Sequence, residues 1–161
     1  MDVVDVVVIL LHPILGFSMA IWLYRQWKIM KALKTKKGIM WSKIQNKERS
    51  EIVNEHEVSG RRSLLFISIV IFFAVIADAY RYFKLDADIS SVVSLHGWLG
   101  LMLAFFVYLM YRSGTKIVKQ REEKENIKQT RGIHQRIGDF LVWLLVAVVF
   151  LGFLRLLDIL Q

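Results

Sequence analysis

The sequence contains no cysteine, which excludes a disulfide framework, cysteine-ligated zinc and iron–sulfur clusters. It has no glycine-rich phosphate loop and no His-Glu-x-x-His motif, so neither nucleotide phosphates nor a zincin-type metal has an obvious place. Charge is also scarce. Asp, Glu, Lys and Arg make up 22% of the 161 residues, and they cluster, leaving long stretches with none.

Those stretches are apolar and cover residues 6–24, 63–77, 89–111 and 140–154. Extended to their flanking charges, each approaches the ~20 residues that carry a helix across a bilayer. Four crossings use about half the chain, and no soluble catalytic domain is left over. The expected fold is an all-α, integral membrane four-helix bundle forming one domain. Its spans are expected near 4–25, 62–83, 89–112 and 134–158, with basic links at 26–61 and 113–133.

The net charge of +8 does not point to nucleic acid, because the basic residues follow the membrane pattern. Residues 25–62 hold 11 Lys and Arg, and residues 112–136 hold 8, so 19 of the 22 lie on one side. By the positive-inside rule that side is the cytoplasm, or the stroma of a plastid, and both termini face the opposite side. The first span lacks a cationic leading region and reads as a membrane helix, not a cleaved signal peptide. Its helix is expected to run on to Gly38. A second helix start is expected at Ser50-Glu51, a short antiparallel link at 84–88, and a turn near Gly132.

There are four histidines for four spans, and each is followed four residues later by glycine: His12 and Gly16, His56 and Gly60, His96 and Gly100, His134 and Gly138. One helix turn is ~3.6 residues, so each glycine shares a face with its histidine. The topology sorts the histidines into two levels. His12 and His96 stand early in spans that run inward, about 20 and 24 Å above the basic side. His56 and His134 stand at or before the starts of spans that run outward. Two pairs from alternate helices suit two bis-histidine haems stacked across a membrane. A b-type haem with two imidazole ligands passes single electrons, and glycine one turn from the ligand leaves room for the flat macrocycle. A neutral histidine is tolerated in a bilayer when a metal and a hydrogen-bond partner take its two nitrogens.

Simpler readings stand beside this one. A membrane histidine can serve only as a hydrogen bond between helices, glycines at helical spacing can simply pack, and His56 and His134, near charged sequence, can be solvated loop residues. Pro13 should bend the first span beside His12. Phe66, Phe72, Phe73, Phe105, Phe106 and Trp143 would fill the interior between the haem planes, and are expected as core or lipid-facing packing and not as electron relays. Arg61, Arg62, Arg131 and Arg136 flank the inner histidines and are candidates for haem propionates or an anionic substrate. At the other end, Asp78 with Arg81 and Arg155 with Asp158 lie three residues apart, as local ion pairs or as propionate partners.

Three of the histidine segments resemble the haem helices of the cytochrome b561 superfamily, most closely its small four-helix branch in bacteria and phototrophs. They are His12-Pro13-Ile14-Leu15-Gly16, Leu95-His96-Gly97-Trp98-Leu99-Gly100 and Ile133-His134-Gln135-Arg136-Ile137-Gly138. The resemblance extends over roughly residues 8–157. It implies a di-haem b core with one ligand per helix, which favours His12 with His96 and His56 with His134. It also implies an oxidoreductase-type activity that moves electrons across a bacterial plasma membrane or thylakoid. The small-molecule donor would be ascorbate or a quinol, and the acceptor ferric iron, monodehydroascorbate or a quinone. The chain departs from six-helix members in lacking their flanking helices, and His56 sits in a polar context, Asn54-Glu55-His56-Glu57. Association as a homodimer or as a subunit of a membrane complex is left open. The rival expectations are a non-haem scaffold or anchor subunit, and a metal or proton carrier using His12, His96 and Asp78.

Overall fold

The computed structural model describes residues 2–86 and 94–160. These residues form five helices and no strand: α1 (Val3–Thr35), α2 (Ile39–Ile44), α3 (Arg49–Lys84), α4 (Leu95–Glu122) and α5 (Lys128–Leu160). All but α2 are long and apolar enough to cross a membrane. The end of the expected 84–88 link, and residues 89–93 of the expected third span, lie outside the described residues.

Local chemistry sets the helix ends. Asp2 and Asp5 form a reciprocal capping box at the start of α1, each side chain accepting the other's backbone N–H at 2.9 and 2.6 Å. α1 stops where Lys36 turns left-handed, and Gly38, at φ 87°, makes the sharp entry into α2 that a side chain would resist. α1 is helical through Pro13. Ser94 caps α4 by accepting from the Gly97 N–H. The α3 start falls at Arg49, one residue from the expected position. The turn expected near Gly132 is not there. It covers residues 123–127, where Lys124 adopts φ 56° and Asn126 accepts from the Lys128 N–H, and Gly132 lies inside α5. Asn126 supplies a capping oxygen there, which Gly132 cannot.

The helices pack in a ring. α1 contacts α3, α3 contacts α4, α4 contacts α5, and α5 returns to α1. Hence α1 faces α4 across one diagonal, and α3 faces α5 across the other. At the basic end, Trp27 Nε1 donates to Asp139 at 2.8 Å, and Lys31 pairs with the same carboxylate, joining α1 to α5. Arg121 grips Glu57 through two hydrogen bonds of 2.9 and 3.2 Å, joining α4 to α3. That carboxylate also holds the Arg121 pKa above its ordinary value.

The main core is made of Met19 and Ala20 from α1, Ile67 from α3, Leu103 and Val107 from α4, and Leu141, Leu144, Leu145 and Val148 from α5. A second cluster, Ala32, Leu33, Ile44 and Ile52, clasps α2 between the basic ends of α1 and α3. The aromatic residues do not all fill the interior. Trp143 is 76% exposed, and Phe66, Phe72 and Phe105 also face outward, as the outside of an apolar bundle allows when its neighbours are lipid tails. Phe106 does pack against the core and against Phe140.

Ile52 is only 2% exposed and lies at the centre of the second cluster. Ile52→Ala should lower stability by about 2–5 kcal/mol, measured by denaturant titration in detergent. It should also speed proteolysis in the 36–48 segment. Wild-type values for both would remove α2 from the folded unit.

Candidate functional site

The two diagonals bring the histidines together. His12 on α1 meets His96 on α4, with ring centroids 6.0 Å apart and planes inclined at 65°. His56 on α3 meets His134 on α5 at 6.2 Å and 84°. His56 and His134 are therefore helical and face each other across the bundle; they are not solvated loop residues. The polar sequence around them forms the outward surface of helices that continue beyond the apolar stretches.

Hydrogen bonds orient three of the four rings. His12 Nδ1 lies 3.2 Å from the Val70 carbonyl oxygen of α3, and His96 Nδ1 lies 3.0 Å from the Val148 carbonyl oxygen of α5. A carbonyl can only accept, so Nδ1 carries a proton in both rings, and in the neutral imidazole Nε2 keeps its lone pair. His134 reaches the same state through a hydroxyl. Ser113 Oγ donates to the Met110 carbonyl at 3.1 Å and accepts from His134 Nδ1 at 2.8 Å. His56 differs: its Nδ1 is buried and has no hydrogen-bond partner among the described residues.

The carbonyls that receive the rings also fix the spacing of the two levels. Val70 follows His56 by 14 residues on α3, and Val148 follows His134 by 14 on α5. At ~1.5 Å per residue the two pairs stand about 21 Å apart along the bundle. The main core fills the space between them.

Glycines of the neighbouring helices lie against two of the rings, and at one of them the space is needed. A Cβ at Gly152 would lie 2.7 Å from His96 Cε1 and 3.1 Å from its Nδ1, so only glycine admits the ring there. A Cβ at Gly114 would lie 3.5 Å from His134 Cε1. Of the glycines that follow the histidines, Gly60 and Gly100 have no atom within 4 Å of a built Cβ. Gly16 approaches Val70, and Gly138 lies against Met110. Ser113, Gly114 and Gly152 were not singled out from the sequence. One signal was present: Gly114 and Gly152 are 38 residues apart, the same separation as His96 and His134.

At the end near His12, Arg81 is 8% exposed and bonds Asp78 at 3.2 Å, while Arg155 bonds Asp158 at 2.6 Å. The buried Asp5 accepts from Tyr80 Oη at 2.7 Å and pairs with Lys84. At the basic end, Arg61, Arg62, Arg131 and Arg136 are exposed. Arg62 shares a cleft of about 320 Å³ with His56, Gln26, Ile29, Ile52 and Ser59.

The residues suit a metal held between paired imidazoles. Two rings sharing one ion at about 2 Å from each nitrogen have centroids about 6 Å apart, close to both observed spacings. Among the described residues no three or more His, Cys, Asp or Glu gather to hold a bare metal ion, so a metal held between either pair would take its remaining ligands from a cofactor. The family described as Eukaryotic cytochrome b561 matches residues 49–155, a stretch that holds His56, His96 and His134 but not His12. No curated protein and no solved structure matches the chain. With the match covering most of the chain and four apolar helices around it, the chain belongs to the cytochrome b561 family, membrane proteins that transfer electrons on haem b.

Proposed function

We propose that this protein holds two b-type haems, one between His12 and His96 and one between His56 and His134, and passes electrons between a small reductant and an acceptor on opposite sides of the membrane. The observation that carries this reading is the pairing itself: one histidine from every long helix, joined across both diagonals, with three Nδ1 atoms engaged so that Nε2 is left for iron. A haem so ligated takes up and gives up single electrons. The helix carbonyls and Ser113 set the ring tautomers and raise the basicity of the ligands. The apolar core between the levels excludes water, and the open spaces at Gly60 and Gly100 leave helix surface clear for a flat macrocycle.

The basic end is assigned to the cytoplasm or stroma, with both termini on the opposite side, in a bacterial plasma membrane or thylakoid. Ascorbate or a quinol is the proposed donor there. Arg61, Arg62, Arg131 and Arg136 attract an anionic donor such as ascorbate or meet the propionates of the haem between His56 and His134. Arg81 and Arg155 take the corresponding role at the other end, with Asp78 and Asp158 fixing their directions.

A visible spectrum with a haem-to-protein ratio tests the reading. Two haems per chain are expected. His12→Ala and His96→Ala should remove one component, and His56→Ala and His134→Ala the other. Loss of the same component from His12→Ala and His134→Ala would break the pairing, and a colourless wild-type protein would leave only the scaffold reading. Gly152→Val replaces no ligand, yet its side chain would collide with the His96 ring, and it should lower occupancy of the His12–His96 haem by about tenfold or more, as loss of an outer-shell support does. Unaltered occupancy would reduce Gly152 to a packing residue. Neutralising Arg61 and Arg62 together should slow reduction by ascorbate about tenfold at low salt and flatten its salt dependence. Stopped-flow traces identical to wild type would remove these arginines from the donor site.

A further inference from the structure

Each anchored ring sits on the neighbouring helix in the same way. The acceptor is a carbonyl, and the residue four positions later, which lies on the same face one turn on, is small. His96 uses Val148 and Gly152 of α5, and His134 uses Met110, through Ser113, and Gly114 of α4. His12 uses Val70 of α3, where the position four later is Ala74. At Gly152 the small residue is required because the ring comes down to the backbone, while at Gly114 even a Cβ would already be in contact with the ring.

Antiparallel packing relates the seats within a helix pair. A step along one helix is matched by an equal step backwards along its partner. His134 follows His96 by 38 residues, and its seat at Met110 and Gly114 lies 38 residues before the Val148 and Gly152 seat. The α1–α3 pair obeys the same relation. His56 follows His12 by 44 residues, so its seat falls 44 residues before Val70 and Ala74, at Gln26 and Met30. Two contacts agree with that register: Gln26 lines the cleft that holds His56, and Met30 packs against the cluster containing Ile52, one turn before His56 on α3. The position that is glycine or alanine in the other three seats is here methionine, and His56 Nδ1 is the one ring nitrogen left buried without a partner among the described residues.

We infer that His56 is the replaceable ligand of the four. Met30 closes its seat, so nothing holds the ring in line, and a small neutral ligand entering from the cleft beside it can take its place on iron. In that exchange the bond from iron to His56 Nε2 breaks and a bond to the incoming donor atom forms, with no change of oxidation state. His134 on the other side stays anchored, and the His12–His96 pair has both rings anchored. The inference rests on the reading of the pairs as haem ligands. Met30 is a positioning residue in it, acting only through His56.

Carbon monoxide titration of the dithionite-reduced, purified protein tests this, followed by the Soret band. One of the two haems is expected to bind CO. His12→Ala, which lacks the other haem, should retain the CO-reactive component. Met30→Ala opens the seat and should weaken CO binding about tenfold or more, while Met30→Leu, which keeps the bulk, should bind CO like wild type. The inference is overturned if both haems ignore CO, if the reactive component disappears in His12→Ala, or if Met30→Ala binds CO as wild type does. A wild-type chain with one haem would contradict the two-haem reading. In that case the inference is decided by the CO titration if the single haem survives in His12→Ala, and falls if it does not. A colourless protein would end both, and is distinguished by the spectrum before any CO is added.

Discussion

How close an imidazole can come to the backbone of the helix beside it decides what both sites can be. A ring that reaches a helix carbonyl gains a fixed tautomer and a fixed direction. Reaching it requires an acceptor on one residue and almost no side chain on the residue one turn later. Gly152 meets this requirement most tightly, since even a methyl group would collide with His96. Each histidine and its seat lie on different helices, so the ring packing of α1, α3, α4 and α5 is itself part of the site.

The remaining polar interactions hold that packing at its two ends. The Asp5, Tyr80 and Lys84 contacts tie the start of α1 to the end of α3 beside the His12 level. At the opposite end, Trp27 and Lys31 on Asp139 join α1 to α5, and Arg121 on Glu57 joins α4 to α3. Exposed ion pairs of this kind contribute little energy. Asp5 is different, because it is buried and would be costly without the Tyr80 hydroxyl and the Lys84 ammonium. Between the histidine levels the helices meet through apolar side chains, Met19 and Phe106 among the aliphatic ones, which suits a bundle whose outside is equally apolar.

The family match and the geometry reach the histidines by different routes. The match begins at residue 49 and so covers α3, α4 and α5 without α1. His12 comes into the site through the structure, by its place across the diagonal from His96 and its bond to Val70. The helix that the family comparison leaves out therefore supplies the fourth histidine and, at Gln26 and Met30, the one seat that departs from the rest.

The sequence alone determined what depends on repetition along one helix. Runs of apolar residues mark the four spans because a bilayer demands about 20 of them. The clustering of 19 basic residues orders the helices up and down, and the heights of the histidines then follow from residue counts, which is why the pairing was legible. The 123–127 turn was misplaced at Gly132, because an asparagine cap is a weaker mark on the page than a glycine. The outward-facing Trp143 and Phe72 were unreadable, since lipid and core attract the same side chains. Only the tertiary structure decided which residues on one helix lie against a histidine on another. That register is set by packing between helices, and no period within a single helix records it. The small residues at Gly114, Gly152 and Ala74, and the methionine where the fourth should be, acquire meaning only once α1 is laid beside α3 and α4 beside α5.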